Sequence, residues 1–382
     1  MDIEERTYFN RLGYQVFGPI LLGYIRWIKE RYKERNLDLI LCPSRDGFIV
    51  NQVMAKFYPE IKTSYFYTSR LASVIPLLSS KNDLCSMLDL YRSWPETFTI
   101  SLLLDRLGIG YLVDQLEQFD LYEGYCLRKD NIIYDKKFLA FFDRFKNDIY
   151  INSNSQKELL IKYLMPYQGK TLGFVDLGSG TILSSLASFC REYNLNIKFE
   201  SLNFQGGDRS YFCNINDAYI KVLFRFSYIL LELFFTAPHS SVVKYERERD
   251  NKLMAVLSKN TNDFDVTNSL HLGAINYMKK HFLSDDCLES VFSEYFQLGM
   301  YPDIDALNFW KNIKIDANSK NQELLCPVDL RKKNIKDIFF TLKSSLWLSG
   351  QLTLLRMPKW MLKLIYTTYF IRSEERRVGK EC

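Results

Sequence analysis

A glycine-rich loop after an apolar segment is the feature of this sequence best suited to binding a ligand. The segment Thr171–Leu177 (TLGFVDL) has the composition of a buried strand and carries Asp176 near its end. The residues that follow are Gly178, Ser179, Gly180 and Thr181. Such a turn at the start of a helix favours anions, because backbone N–H groups and the helix dipole point toward the ligand. Ser179 and Thr181 add hydroxyl donors, and Asp176 could accept from ribose hydroxyls or orient a metal-bound water. The alternative is a tight turn whose Ser or Thr only caps the helix.

Two further polar loops follow apolar segments. The residues after the segment 37–42 are Ser44, Arg45, Asp46 and Gly47. The residues after the segment 63–67 are Thr68, Ser69 and Arg70. Arg45 offers a fork of donors for phosphate or pyrophosphate, and Asp46 could be a ligand of Mg²⁺. Two arginines at consecutive strand ends favour an anionic ligand, whereas the alternative is that Asp46 caps a helix beside a surface arginine.

Glu232 and His239 lie near the end of a strongly apolar segment, 222–235. His239 is one of three histidines in the chain, and it could act as a general base or bind an acceptor. Glu232 is expected to contact the substrate. The alternative for His239 is a histidine that caps the end of a helix.

The elements that must position these loops form two strand–helix–strand units. The expected strands are 37–42, 63–67, 171–177 and 197–204, and the expected helices are 46–58 and 182–193. Units of this kind form parallel sheets, in which ligands bind at the carboxyl ends of the strands. We therefore expect Arg45, Asp46, Arg70 and Asp176 around one cleft.

The fold class predicted from this pattern is α/β, with a parallel Rossmann-like sheet. The rest of the chain reads as mostly helical, with large insertions at about 80–165 and 215–300. A single domain is expected over residues 1–371.

Composition and charge limit the class of protein. The chain has 382 residues, 50 Lys and Arg against 45 Asp and Glu, and a net charge of +5. Hydrophobic residues make up 47%, which excludes global disorder and collagen-like designs. The small positive charge does not by itself indicate nucleic-acid binding. Eight cysteines are scattered without a CxxC pair, which is typical of reduced thiols in a cytoplasmic protein.

No signal peptide is expected at the start of the chain. Residues 1–6 are acidic and lack the apolar core of a signal peptide. The basic and aromatic segment 356–369 is expected to be a core helix, and the alternative is peripheral contact with the inner face of a membrane. Residues 372–382 (RSEERRVGKEC) match the translation of a common sequencing-adapter oligonucleotide, so we expect an artefact there and a missing natural C-terminus.

Six short motifs, taken together and in order, resemble a known family. They are GYQVFGPILLGYIRWI, SRDG, YFYTSR, VDLGSGT, LELFFTAPHSSV and SLWLSGQL, within residues 9–355. This series resembles the second module of bacterial proteins labelled as predicted hydrolases of the HAD superfamily, which are encoded among capsule and O-antigen genes. The signature of HAD catalysis is an apolar strand that ends in Asp-x-Asp-x-Thr/Val. The string itself occurs once in this chain, at 263–267 (DFDVT), but it follows the polar segment 258–262 and not an apolar strand, so we expect no phosphatase activity from the chain.

The resemblance implies a phosphoribosyltransferase-like fold and activity. It implies transfer of ribose 5-phosphate from phosphoribosyl pyrophosphate to a sugar acceptor, with Mg²⁺, in surface polysaccharide biosynthesis. A HAD phosphatase partner would then remove the phosphate. The loop from Asp176 to Thr181 resembles the ribose-phosphate loop, and the loop from Ser44 to Gly47 resembles the pyrophosphate loop. The family pattern has two adjacent acids before the first of these loops, whereas Val175 precedes Asp176 here.

Two other functions remain open from the sequence. VDLGSGT is also similar to the first motif of class I methyltransferases, which bind S-adenosylmethionine. That motif has a third glycine where this chain has Ile182, and it is followed by a strand with a terminal acid, whereas Glu200 lies mid-strand. The other possibility is a non-catalytic scaffold or acceptor-binding module for polysaccharide assembly.

Overall fold

The structure is a computed structural model that describes most of the chain. The described residues are 1–79, 83–91, 94–95, 97–178, 180–206, 209–214, 226–248, 250, 252–259, 264–284, 291–311, 313–318, 321–325 and 345–368. The predicted site residue Ser179 lies outside them, as do 372–382, where an artefact is expected.

The strands form one larger sheet and three small ones. The strands are β1 (Leu39–Pro43), β2 (Thr63–Phe66), β3 (Thr97–Thr99), β4 (Cys126–Arg128), β5 (Thr171–Asp176), β6 (Lys198–Asn203), β7 (Val242–Arg247), β8 (Leu253–Leu257), β9 (Lys314–Asn318) and β10 (Asn321–Leu324). The larger sheet has the order β2-β1-β5-β6, and all of its pairs are parallel. The predicted α/β class with a parallel sheet is therefore confirmed.

The α-helices account for most of the remaining structure. They are α1 (Ile3–Leu12), α2 (Gly18–Glu34), α3 (Phe48–Phe57), α4 (Arg70–Val74), α5 (Leu84–Asp89), α6 (Ile100–Arg106), α7 (Lys136–Leu164), α8 (Thr181–Glu192), α9 (Tyr228–Phe235), α10 (Phe264–His281), α11 (Ser293–Met300), α12 (Leu307–Trp310) and α13 (Leu348–Leu354). A π-helical turn, Gly13–Phe17, joins α1 to α2.

Helices cover both faces of the parallel sheet. In β1, Ile40 and Cys42 pack in a core that includes α2, α3, α9 and α10, whereas Leu41 packs in a second core that includes α7 and α8. Side chains that alternate along a strand point to opposite faces, so an apolar run such as LILC is what a doubly covered strand requires. The segment 75–149 builds a separate core of its own.

The two insertions contain strands that the sequence interpretation missed. Within 80–165, β3 and β4 pair antiparallel, and within 215–300, β7 and β8 form an antiparallel hairpin. In β7, Val242 and Tyr245 are buried, while Lys244 and Glu246 are exposed. The prediction of helix was wrong here because Glu, Lys and Arg favour helices, while the bulge between Val242 and Lys244 interrupts the alternation expected of a strand.

The C-terminal helix at 359–368 is amphipathic. Leu362 and Tyr366 are buried, whereas Trp360 and Leu364 are exposed. Within the described part of the chain, no helix has the length and apolar character needed to cross a bilayer. None of the described cysteines forms a disulfide.

Candidate functional site

The strand order creates a crevice at the carboxyl end of the sheet. The chain adds β2 on one side of β1 and then crosses to the other side to form β5 and β6. Loops after β1 and β5 therefore leave the sheet in opposite directions, and ligands of open α/β sheets bind at such a switch point. A cavity of about 350 Å³ lies here, large enough for a small ligand.

Most of the predicted site residues line this cavity. Those that do so are Ser44, Arg45, Asp46, Ser69, Arg70, Asp176, Gly178 and Glu232. The structure thus brings the ends of β1, β2 and β5 together with helix α9. Four other predicted residues, Gly47, Gly180, Thr181 and His239, do not appear in the lining.

The loop after β1 is held by its neighbours in an unusual backbone conformation. Arg45 has φ of 72°, the left-handed region that costs a non-glycine residue about 1–2 kcal/mol. Its N–H donates to the hydroxyl of Tyr65 at 3.1 Å, and its Nη1 donates to Oγ of Ser241 at 2.8 Å. Ser44 fixes the same loop to the end of β2, because its hydroxyl donates to the carbonyl of Thr68 and accepts from the N–H of Thr68. Strain held in place by several contacts is frequent at functional sites.

Asp46 does not cap helix α3, and Gly47 is required where the chain passes close to β1. The N-cap of α3 is Gly47, and no side chain caps that end, so the alternative of Asp46 as a cap is wrong. A Cβ at Gly47 would lie 2.5 Å from the backbone carbon of Cys42, so only glycine fits between β1 and α3. Asp46 lines the cavity instead of capping the helix.

His239 supports Arg45 from behind the cavity. Its Nδ1 lies 2.8 Å from the carbonyl of Ser240, which can only accept, so Nδ1 carries the proton. Nε2 then accepts from the Tyr65 hydroxyl at 2.5 Å, and that hydroxyl in turn accepts from the Arg45 N–H. Burial, with Arg45 nearby, lowers the pKa of His239, which favours this neutral form. His239 does not cap α9 either, since α9 ends at Phe235.

Carboxyl groups and arginines share one electrostatic environment in the cavity. Burial raises the pKa of Asp46 to about 7; Asp176 and Glu232 act in the same direction, while Arg45 and Arg70 oppose it. Burial also raises the pKa of Glu232, against the influence of the same two arginines. A carboxyl group whose pKa lies near neutrality can exchange a proton or bind a cation under physiological conditions.

The glycine-rich loop after β5 is organised around Asp176. Its carboxylate is buried and accepts from the N–H groups of Gly178 at 2.8 Å and Gly180 at 3.2 Å. Gly178 and Gly180 have φ of 149° and 63°, which explains the glycines. Gly180 is the N-cap of α8 and has no side chain to cap that end, while Ser179, one of the two residues predicted to cap the helix, lies outside the described residues.

This arrangement changes how the loop can bind an anion. The two glycine N–H groups expected to bind phosphate donate instead to Asp176. The N–H groups of residues 181–183, in the first turn of α8, have no acceptor within the helix, and Ile182 in that turn lines the cavity. A phosphate in the cavity would therefore contact the N-terminal end of α8, while Asp176 holds the loop in position.

The residues fit a Mg²⁺ ion that is bound together with a ligand. Among the residues that the structure describes, no group of three or more His, Cys, Asp or Glu side chains is placed to hold a metal. Asp46 and Asp176 nevertheless line the same cavity. Mg²⁺ is commonly held by one or two carboxylates together with waters and substrate phosphates.

Arg106 is a charged residue of the cavity that the sequence interpretation missed. It lies at the end of α6, is 8% exposed and lines the cavity. Its guanidinium carbon lies 4.0 Å from the ring centroid of Trp94 and 5.2 Å from that of Tyr91. The sequence feature that could have indicated Arg106 is an arginine within the apolar segment ISLLLDRL, which lies in a region interpreted as an insertion.

Comparison with known proteins adds no identification. No protein-family model matches the chain, and no curated protein matches its sequence. The fold and the site define an α/β protein with a charged cavity at the switch point of its parallel sheet. Function must therefore be inferred from the side chains of the cavity, because this fold supports many activities.

Proposed function

We propose that the protein transfers a phosphoribosyl group from phosphoribosyl pyrophosphate to a sugar acceptor in bacterial surface polysaccharide biosynthesis. The observation that supports this function most strongly is the meeting of the loops after β1 and β5 at one cavity, which Arg45, Asp46 and Asp176 line. A diphosphate donor needs cationic side chains and a cation, and ligands of such sheets bind between these two loops.

Each end of the donor has a matching group in the cavity. Arg45, held in place by Tyr65 and Ser241, would bind the diphosphate through its fork of donors. Asp46 would hold Mg²⁺ against the diphosphate oxygens, and the ion would neutralise charge on the leaving group. The first turn of α8, positioned by Asp176, would bind the 5-phosphate of the ribose.

The transfer itself needs a proton acceptor. The bond between ribose C1 and the diphosphate oxygen breaks, and pyrophosphate leaves with the electron pair. The acceptor oxygen forms the new bond to C1, and its proton passes to a base. Glu232 lines the same cavity, and its raised pKa makes it a stronger base than an exposed carboxylate.

The product of this transfer would still carry a phosphate. The Asp-x-Asp-x-Thr string of this chain, at 263–267, does not follow an apolar strand, and Asp265 lies in the first turn of helix α10. This is not the strand end that carries the nucleophile of HAD enzymes, so a separate HAD phosphatase would remove that phosphate. The reaction would take place in the cytoplasm, with at most peripheral contact with the inner face of the membrane.

One observation favours a second candidate, a non-catalytic module that binds acceptor. The Asp176 carboxylate takes the two loop N–H groups that a phosphate would otherwise use. The methyltransferase alternative is less favoured, because Arg45, Arg70 and Arg106 line the cavity and the cofactor of those enzymes carries a positive sulfonium.

Calorimetry on the purified chain separates these functions. We expect heat of binding with phosphoribosyl pyrophosphate in the presence of Mg²⁺, and much weaker binding when EDTA removes the ion. Binding of S-adenosylmethionine alone would indicate the methyltransferase. Binding of neither ligand would contradict phosphoribosyl transfer and leave the acceptor-binding module.

A further inference from the structure

The cavity continues beyond the switch point toward the insertion that contains α5 and α6. Tyr91, Leu102 and Arg106 of this insertion belong to its lining. Arg70, at the start of α4, acts electrostatically on Asp46 and Glu232 on one side. It also acts on Tyr91 and Arg106 on the other side. Arg70 and Arg106 thus line one cavity together with Asp46 and Glu232.

The structure around Arg106 fixes the position of its guanidinium. The hydroxyl of Tyr91 donates to the backbone carbonyl of Arg106 at 2.6 Å, and Nε1 of Trp94 donates to the carbonyl of Leu88 at 2.8 Å. Both rings that the guanidinium approaches are thereby held in place. The five N–H donors of arginine lie in the plane of the group, so contact with an aromatic face leaves their directions unchanged.

Two arginines that line one cavity and repel each other are a binding arrangement for an anion. Burial, together with Arg70, lowers the pKa of Arg106 to about 10, so the side chain is still protonated at neutral pH. Like charges in a partly buried site repel one another, and an anion bound between them relieves that repulsion. A carboxylate or a phosphate matches the paired donors of arginine.

We propose that Arg70 and Arg106 bind a carboxylate or phosphate group of the acceptor, so that the acceptor is an acidic sugar or a sugar phosphate and not a neutral sugar. This inference rests on the proposed function, which assigns the donor diphosphate to Arg45 and the donor 5-phosphate to α8 in the same cavity. The donor and the acceptor would then occupy one cavity, with the reacting hydroxyl of the acceptor toward Glu232.

Three probes test the charge of the acceptor on the full chain. Glucuronate carries a carboxylate, glucose 6-phosphate carries a phosphate, and glucose carries neither. By calorimetry we expect at least one acidic probe to bind about tenfold or more tightly than glucose. The reason is that only the acidic probes can form charged hydrogen bonds with the arginines. The tighter acidic probe identifies the anion. Glucose binding as tightly as both acids, or no binding of either acid, would overturn the proposal.

Variants then assign the effect to the two arginines. Arg106→Gln and Arg70→Gln should each weaken binding of the acidic probe by about tenfold or more, and Arg106→Lys should restore part of it. The matched control is Arg31→Gln, because Arg31 also approaches a tryptophan, Trp27, but does not line the cavity. Unchanged affinity in both glutamine variants would overturn the proposal. Arg70 is exposed, so its variant tests the site even if Arg106→Gln fails to fold.

Binding of Mg²⁺ and phosphoribosyl pyrophosphate, measured on the same proteins, separates the two levels of inference. If the wild type binds acids through Arg106 but does not bind the donor, the proposed function fails and the acid site stands. If the glutamine variants lose donor affinity while acid binding is unchanged, Arg70 and Arg106 belong to the donor site and this inference is wrong.

Discussion

Replacing Arg45 separates backbone strain from ligand binding. Arg45→Ala and Arg45→Gly both remove the hydrogen bond to Ser241 and the charge, but only glycine adopts φ of 72° without strain. The strain of about 1–2 kcal/mol, less the entropy that glycine loses on folding, leaves glycine more stable than alanine by about 1 kcal/mol. Loss of a charge-assisted contact to the diphosphate should weaken donor binding about 30-fold in both variants.

Urea denaturation and calorimetry with Mg²⁺ and phosphoribosyl pyrophosphate measure the two effects. The matched control is Arg356, an exposed arginine with φ of 57° that does not line the cavity. Arg356→Gly should also exceed Arg356→Ala in stability, and both should bind the donor like the wild type. Equal stability of the two Arg45 variants would refute the strain, and unchanged donor affinity would refute the role of Arg45 in binding.

Three further predictions follow from the same contacts. Asp176→Ala should lower the free energy of unfolding by about 3 kcal/mol, because two loop N–H groups lose a charged acceptor. Asp176→Asn should lower the free energy of unfolding by about half as much. If urea denaturation gives both variants the free energy of unfolding of the wild type, this prediction is wrong. Tyr65→Phe removes the acceptor of the Arg45 N–H, so calorimetry should show donor binding weakened about tenfold; wild-type affinity would contradict it. Burial lowers the pKa of His271 from 6.5 to about 4, so the unfolded chain binds a proton that the folded chain excludes. Stability should be complete above pH 6.5 and fall by about 3 kcal/mol toward pH 4. Melting curves of His271→Gln should show a smaller loss, and an equally steep loss would contradict the assignment.

The sheet and its loops could be predicted because local composition determines them. The expected strand at 171–177 differs from β5 by one residue at its end. The expected strand at 37–42 differs from β1 by two residues at its start and by one at its end. Apolar runs of this length, separated by helical periodicity, indicate a parallel sheet. The carboxyl ends of such strands meet at one edge, so the convergence of Arg45 and Asp176 could be anticipated from the sequence.

The contacts behind the cavity could not be predicted in this way. Tyr65 and His239 are separated by 174 residues, and their hydrogen bond depends on how the segment after α9 packs beside β2. Arg106 lines the cavity through the packing of the insertion, which local composition does not determine. The sequence also could not predict the acceptor of the N–H groups in the glycine-rich loop after β5. Asp176 could either accept from these groups or leave them to a ligand.

The most direct test of the central claim is a crystal structure of the chain with Mg²⁺ and phosphoribosyl pyrophosphate. We predict the diphosphate at Arg45, with Mg²⁺ held by Asp46, and the 5-phosphate at the first turn of α8, where Ile182 lines the cavity. A donor bound outside this cavity, or a cavity that stays empty at saturating donor, would contradict phosphoribosyl transfer at the switch point.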